Sequence, residues 1–260
     1  MKFIGKLSLS PLVTMSLTQF VIGMALWIYC PSAQVPAFGK CWEAFKYLWM
    51  HEGVFSQFSK SVQLVAFSFA ISLTIGLVIA YATALPKVGK VDVGLIFRPI
   101  AAVIACLRMI SPIGVGFLIQ VWTPNMDWAK VTLMCFSVTP WLVKSFCDII
   151  HTTPVDMMDY AATLRYNDWR AVWEVKFLGN MDQLYVITVQ VFFMGWMMLT
   201  MIEKLSRSAG GLGILLADQE KFLILPRIFA IQAFLFILGI TFDRLAWVGR
   251  KVFFKWAEGV

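Results

Sequence analysis

The residues that can do chemistry in this chain are few, and they stand in unusual surroundings. Arg108 and Pro112 fall near the middle of a long apolar run, residues 93–122. A charge at the centre of a membrane span costs at least ~2.5 kcal/mol, so such an arginine faces protein or water. Two uses are open to Arg108: contact with an anionic solute, or pairing with backbone carbonyls that Pro112 leaves free and with a neighbouring helix. Gln120, Gln190 and Trp196 join it as candidates for a solute path, with interhelical hydrogen bonding as the other use of a glutamine in a span. Arg98 lies nearer the end of its run, where snorkelling explains it.

The pattern of the remaining reactive residues excludes several functions. Neither a nucleophile elbow, nor H-E-x-x-H, nor G-x-x-x-x-G-K-[ST] occurs, and Gly210, Gly211 and Gly213 do not satisfy G-x-G-x-x-G. The five cysteines lack C-x-x-C or Cys/His spacing, so no metal site is expected. Cys30 and Cys41 share one expected side of the membrane and are either a disulfide or two idle thiols. Acidic residues in or near the apolar runs are few, with Asp148 and Asp243 close to span ends. That supplies little for a proton relay. No catalytic residue and no cofactor are expected in the chain itself.

The elements that must hold these residues are membrane helices. Of the 260 residues 60% are hydrophobic and 14% charged, against about 25% charged in soluble domains. Six runs approach the 17 to 25 residues that cross a bilayer as helix: about 11–30, 62–84, 93–122, 129–150, 184–202 and 223–248. The first has basic residues before an apolar core, but the core is too long for a signal peptide and no cleavage site follows, so it reads as a span. The spacing of Trp42, Phe45, Leu48 and Trp49 predicts an amphipathic connector helix after it.

The net charge of +7 does not point to nucleic acid, because it sorts by side. With the N-terminus inside, the inner segments hold Lys2, Lys6, Lys87, Lys90, Arg165, Arg170, Lys176, Arg250, Lys251 and Lys255. The outer segments hold Lys40, Lys46, Lys60, Lys204, Arg207 and Lys221. Ten against six places both termini in the cytoplasm.

One passage breaks the apolar pattern. Residues 155–178, between the fourth and fifth spans, carry charges and aromatics in helix-prone order. Residues 155–164 predict a short helix after Pro154 with Asp156 in its first turn. Residues 168–178 predict a second, capped by Asp168, with Trp169, Val172 and Trp173 on one face. Between them "RYN" supplies a turn in which Asn167 can take the left-handed conformation. Two short cytoplasmic helices of this kind can dock another protein.

This passage resembles the cytoplasmic loop of permease subunits of bacterial ABC importers, which follows E-A-A-x3-G-x9-I-x-L-P. Aligned through Thr163, Leu164 and Trp169, Asp159 stands for Glu, Tyr160 and Ala161 for Ala-Ala, Arg165 for Gly, Val175 for Ile, and Phe177-Leu178 for Leu-Pro. Beyond the conservative Asp-for-Glu and Val-for-Ile, the match departs from the pattern at four places, Tyr160, Arg165, Phe177 and Leu178. The segment "LRMISPIGVGFLIQVW" is similar to the proline-containing third span of the nitrate/sulfonate/taurine-type permeases. The loop 203–222, "EKLSRSAGGLGILLADQEKF", is similar to their outer loop, where an acidic residue precedes a Gly-Gly-Leu-Gly turn and a surface helix.

The resemblance implies an all-α polytopic membrane protein, a single domain over 1–260 with six spans in the type I importer architecture, in a bacterial inner membrane. It implies a second permease copy or a paralogue, two ATPase subunits that bind ATP and Mg, and an extracytoplasmic solute-binding protein. Asp159, Tyr160, Ala161, Leu164 and Arg165 would form the ATPase-coupling surface. An anion such as nitrate, a sulfonate, taurine or bicarbonate would suit Arg108. An ATP-independent carrier or channel, and a non-transporting scaffold, are the other classes that the composition admits.

Overall fold

The computed structural model describes residues 36–88, 91–206 and 210–255, together with 15, 18–19 and 21–23. The expected first span and Cys30 therefore lie almost wholly outside the described residues. The described part is all-α apart from a two-residue hairpin, Lys87–Val88 (β1) paired antiparallel with Val91–Asp92 (β2).

Helix α1, Phe38–His51, packs through Cys41, Ala44 and Leu48. Its inward stripe is thus shifted from the expected one, leaving Trp42 and Trp49 exposed. Among the described residues four helices are long and apolar enough to cross a membrane: α2 (Val54–Ala84), α5 (Met126–His151), the continuous segment Asp168–Leu205, and α10 (Leu225–Phe253). The run expected to be the third span is broken. Helix α3, Val93–Cys106, ends in a 3-10 turn over Leu107–Met109, and α4, Pro112–Trp122, leaves at 105° to it. Pro112 causes the break: it excludes the helical conformation at Ser111, which is extended at φ −65° and ψ 127°, and then starts the next helix at its first position. Asn125 caps α5 by accepting the Asp127 N–H at 3.0 Å, so α4 and α5 are joined by a tight turn.

The bundle is organised around α5. Helix α2 lies against it through a stripe of small residues, Ser61, Ser68, Ser72, Gly76, Ala80 and Thr83, all buried. Small residues let two backbones approach where no water drives association. A Cβ at Gly76 would meet the Leu142 Cβ at 3.1 Å. Leu133, Met134, Leu142, Phe146 and Ile150 of α5 fill the centre against Leu184, Leu199 and Ile202 of α8, Met181–Leu205. Gly195 serves the same contact from the other side, where a Cβ would lie 3.0 Å from Met134. Helix α9, Leu212–Lys221, is not the surface helix expected, because Leu212, Leu215 and Leu216 are buried between α8 and α10.

Candidate coupling surface and polar cavities

Residues 155–164 fold as expected into a short helix, α6, Val155–Thr163, beginning after Pro154 with Asp156 in its first turn. It closes with a Schellman arrangement: the Arg165 N–H donates to the Ala162 carbonyl at 3.0 Å and the Tyr166 N–H to the Ala161 carbonyl at 3.1 Å. The left-handed residue of that turn is Arg165, at φ 56°. Asn167, expected to take this role, is extended at φ −67° and ψ 145° and precedes α7, Asp168–Ala171. Asp168 stands inside the first turn and is not the cap. Arg165 is the residue aligned with the glycine of the importer-permease pattern, and a left-handed residue is what glycine supplies most cheaply at that point of a helix end.

The five expected coupling residues do not share one surface. Tyr160 is 68% exposed and Leu164 50%, and Asp159 and Arg165 are exposed beside them. Ala161 is 2% exposed and turns inward, because a helix one turn off the bundle must bury one face to stay attached. Met157, 56% exposed, joins the outward face.

Helix α7 does not end in solvent. It continues through a π-helical segment, Val172–Phe177, and a 3-10 turn, Leu178–Asn180, into α8. Val172 and Phe177 are buried, and Trp173 stacks on Phe177 at 5.8 Å while both meet Tyr81 of α2 edge-on, at 5.9 and 5.3 Å. The Asn180 side-chain amide donates to Thr153 Oγ1 at 2.9 Å, tying the end of α5 to the start of α8. The segment expected to be a second free helix is therefore the start of the continuous membrane-length segment Asp168–Leu205.

The four solute-path candidates are placed apart. Arg108, half-buried in the 3-10 turn, lies over the Trp141 ring at 5.3 Å and lines a cavity of about 510 Å³ with Arg98, Lys144, Cys147, Asp148 and His151. Trp196 is buried, meets Phe242 edge-on at 5.1 Å, and lines a second cavity of about 580 Å³ with Thr200, Gln232 and Asp243. Gln120 is half-buried on α4 and Gln190 is exposed on α8; neither lines these cavities.

A third polar cluster forms where the acidic residue meets the Gly-Gly-Leu-Gly turn. Glu203 is 1% exposed; it accepts the Gly213 N–H at 2.6 Å on one oxygen and the Ser61 hydroxyl at 2.7 Å on the other. Ser61 in turn accepts the Leu212 N–H at 2.9 Å, and Gln57 Oε1 accepts the Gly211 N–H at 2.7 Å. Lys130, also buried, donates to the Gly210 carbonyl at 3.2 Å. Gly211 sits at φ 137°, where a side chain would in addition strike the Glu203 carboxyl. The first N–H groups of α9, orphaned at any helix start, are thus taken up by side chains from α2 and α8. Among the polar residues in these clusters, Gln57, Ser61, Lys130 and Lys144 carry no signal as sequence, since each reads as an ordinary span-end residue.

Among the described residues no group of three or more His, Cys, Asp or Glu side chains is placed to hold a metal ion. Compared with known proteins, the chain matches no family model and no curated protein sequence.

Proposed function

We propose that this chain is the permease subunit of an ATP-driven importer, a membrane bundle that moves a small solute by alternating access while a P-loop ATPase drives it from α6. One observation supports this reading above the others. Met157, Tyr160 and Leu164 form an exposed apolar strip on a helix of nine residues, flanked by Asp159 and Arg165, and the helix ends on a left-handed residue at the position where the importer-permease pattern has glycine. A large aromatic among aliphatic and charged neighbours is the composition of a protein-docking anchor.

The mechanics follow from the chain's connectivity. The ATPase, which would bind ATP and Mg, clamps with a second ATPase and carries α6 with it. Residues 168–205 run on from that turn without leaving the helix, and the Tyr81, Trp173 and Phe177 rings fasten their lower end to α2. A displacement of α6 therefore reaches α8 and α2 together. The solute would cross between this chain and a second copy or a paralogue, after delivery by an extracytoplasmic binding protein. In this reading the protein lies in a bacterial inner membrane with six spans, both termini and α6 on the cytoplasmic side.

The test is co-purification of a P-loop ATPase with the full chain, compared with Tyr160→Asp. Stoichiometric ATPase on the wild type, reduced at least tenfold by the substitution, supports the proposal. Transport by the chain alone, with no ATPase attached, overturns it in favour of a carrier.

A further inference from the structure

Helix α1 presents three different flanks. Cys41, Ala44 and Leu48 are buried, chiefly against α10 and at one end against α2. About a quarter turn round the helix, Trp42, Phe45 and Trp49 form a ladder of rings whose centroids are 5.9 Å apart at both steps. Phe45 is half-buried, but Trp42 and Trp49 each leave about half of their surface uncovered. On the flank facing away from the ladder stand Lys40, Glu43, Tyr47 and His51, all exposed.

The ladder does not end with α1. Phe45 and Trp49 both meet Phe234 of α10, at 6.1 and 6.5 Å, and Phe234 meets Phe58 of α2 edge-on at 6.0 Å. Phe58 leads on to the exposed Phe55 at 6.4 Å. One aromatic band thus crosses α1, α10 and the first turns of α2, at the end of the bundle away from Tyr81 and α6. With 31 residues α2 is about 46 Å long, against about 30 Å of hydrocarbon, so its first turns stand at headgroup level. The opposite flank is tethered. Arg227 of α10 lies over the Tyr47 ring at 4.1 Å and donates to Glu52 at 3.3 Å, and Gln219 of α9 donates to the same carboxylate at 3.2 Å. These contacts stop α1 from rolling, so its tryptophans stay on the side away from its charges.

Indole rings gain most at the boundary between headgroups and acyl chains, where they bury apolar area while charges on the other flank stay hydrated. Lys46, between the two flanks, holds its ammonium near the Trp42 ring at 5.7 Å, the place of a lysine whose stem lies along lipid. A band one ring wide that runs on round membrane-length helices has the form of a lipid belt; a protein-docking patch closes into a cluster with a polar rim. We infer that α1 lies in the membrane interface at the end opposite α6, with Trp42 and Trp49 in lipid and Lys40, Glu43 and His51 in water. Its partner is the phospholipid boundary. Helix α1 is therefore an anchor and not only the connector expected from its spacing: through Glu52 it sets the depth of α9 and of the start of α10. The inference needs the membrane bundle alone and stands apart from the ATPase reading.

The experiment places a photo-reactive amino acid singly at Trp42, Trp49 or Glu43 of the full chain, and at Val78, an exposed position within α2, and irradiates each protein in phosphatidylcholine vesicles. Mass spectrometry is expected to find phospholipid adducts from positions 42 and 49 in yields near that from 78, and about tenfold fewer from 43. Adducts from 42 and 49 to a second copy, or to residues 11–30 of the same chain, overturn the inference. So do equal lipid labelling at 42 and 43, and an absence of lipid labelling at 42 when 78 is labelled. Repeated in native membranes, an adduct from 42 to an extracytoplasmic protein in place of lipid overturns it as well. Should the probe variants fail to fold, Trp42→Phe and Trp49→Phe decide by fluorescence. In vesicles of phosphatidylcholine brominated next to the headgroup, the bromine-quenched part of the emission should fall in both variants, while the part quenched by aqueous acrylamide stays as in the wild type. An unchanged bromine-quenched part, or a fall only in the acrylamide-quenched part, puts the rings outside lipid and overturns the inference.

Discussion

Glu203 holds the Gly213 N–H at 2.6 Å through one carboxylate oxygen while its other oxygen takes the Ser61 hydroxyl, so that a single buried acid joins α8, α2 and the start of α9. Gly213 has no alternative residue: a Cβ there would lie 2.4 Å from the Thr200 carbonyl oxygen. The turn at Gly210–Gly213 is thereby fixed to the bundle by buried polar contacts.

Glu203→Gln keeps the shape but offers one acceptor oxygen to two donors and turns an amide N–H₂ toward the other. With charge-assisted bonds contributing ~1.5–3 kcal/mol each, the expected loss of stability is about 2–4 kcal/mol. Glu203→Ala should cost at least as much, because the buried Lys130 then loses an acidic neighbour that favours its charge. Denaturant unfolding of the purified chain in detergent measures both; a change under ~0.5 kcal/mol in either variant contradicts the assignment.

The turn after α6 makes a prediction of opposite sign. An L-residue in the left-handed region is disfavoured by ~1–2 kcal/mol, part of which glycine recovers. Arg165→Gly is therefore expected to stabilise the chain by about 0.5–1 kcal/mol, whereas the β-branched Arg165→Val should destabilise it by about 1 kcal/mol. The order Gly above Arg above Val in thermal midpoint checks it, and the reverse order places the left-handed residue elsewhere.

Phe177 is 6% exposed and touches both Tyr81 and Trp173. Phe177→Ala should cost ~3–5 kcal/mol as a cavity-forming change. It should also raise hydrogen exchange over residues 168–180 first, since those rings fasten the segment to α2. Protection unchanged there would mean that the π segment is held by its backbone alone.

Cys41 lies outside the spans, buried in α1, with its Sγ facing the Pro36 carbonyl at 3.9 Å. Burial pushes its thiol above the ordinary cysteine value, so the reactive thiolate is scarcer in the folded chain at any pH below that raised value. Alkylation at pH 8 is expected to be at least ~10-fold slower in the native protein than after unfolding, and to accelerate at higher pH than for a model thiol. Equal rates in the two states contradict the burial.

How far the sequence carried the fold depended on whether a residue's neighbours were local. Pro112 revealed the break in the third apolar run, because a proline acts on the residue beside it; the 105° bend was not legible, since packing of α4 sets it. Helix α2 begins at Val54, well before the expected 62, because Gln57 and Ser61 interrupt the apolar pattern yet are satisfied by a turn some 150 residues away. The acidic residue before the glycine cluster stood out as sequence, whereas its partner Ser61, 142 residues distant, could not. The inward turn of Ala161 was equally hidden, as a nine-residue helix shows its buried face only once its neighbours are placed.

The claim on which the functional account depends is that α6 seats an ATPase. A photo-reactive amino acid at position 160, in the full chain within its native membrane, tests it most directly. The account predicts a cross-linked adduct identified by mass spectrometry as a P-loop ATPase, with a yield that changes when ATP is added, and a control at exposed Trp122 on α4 giving none. Cross-linking from position 160 to lipid alone, or to proteins exposed on the outer face of the membrane, contradicts it.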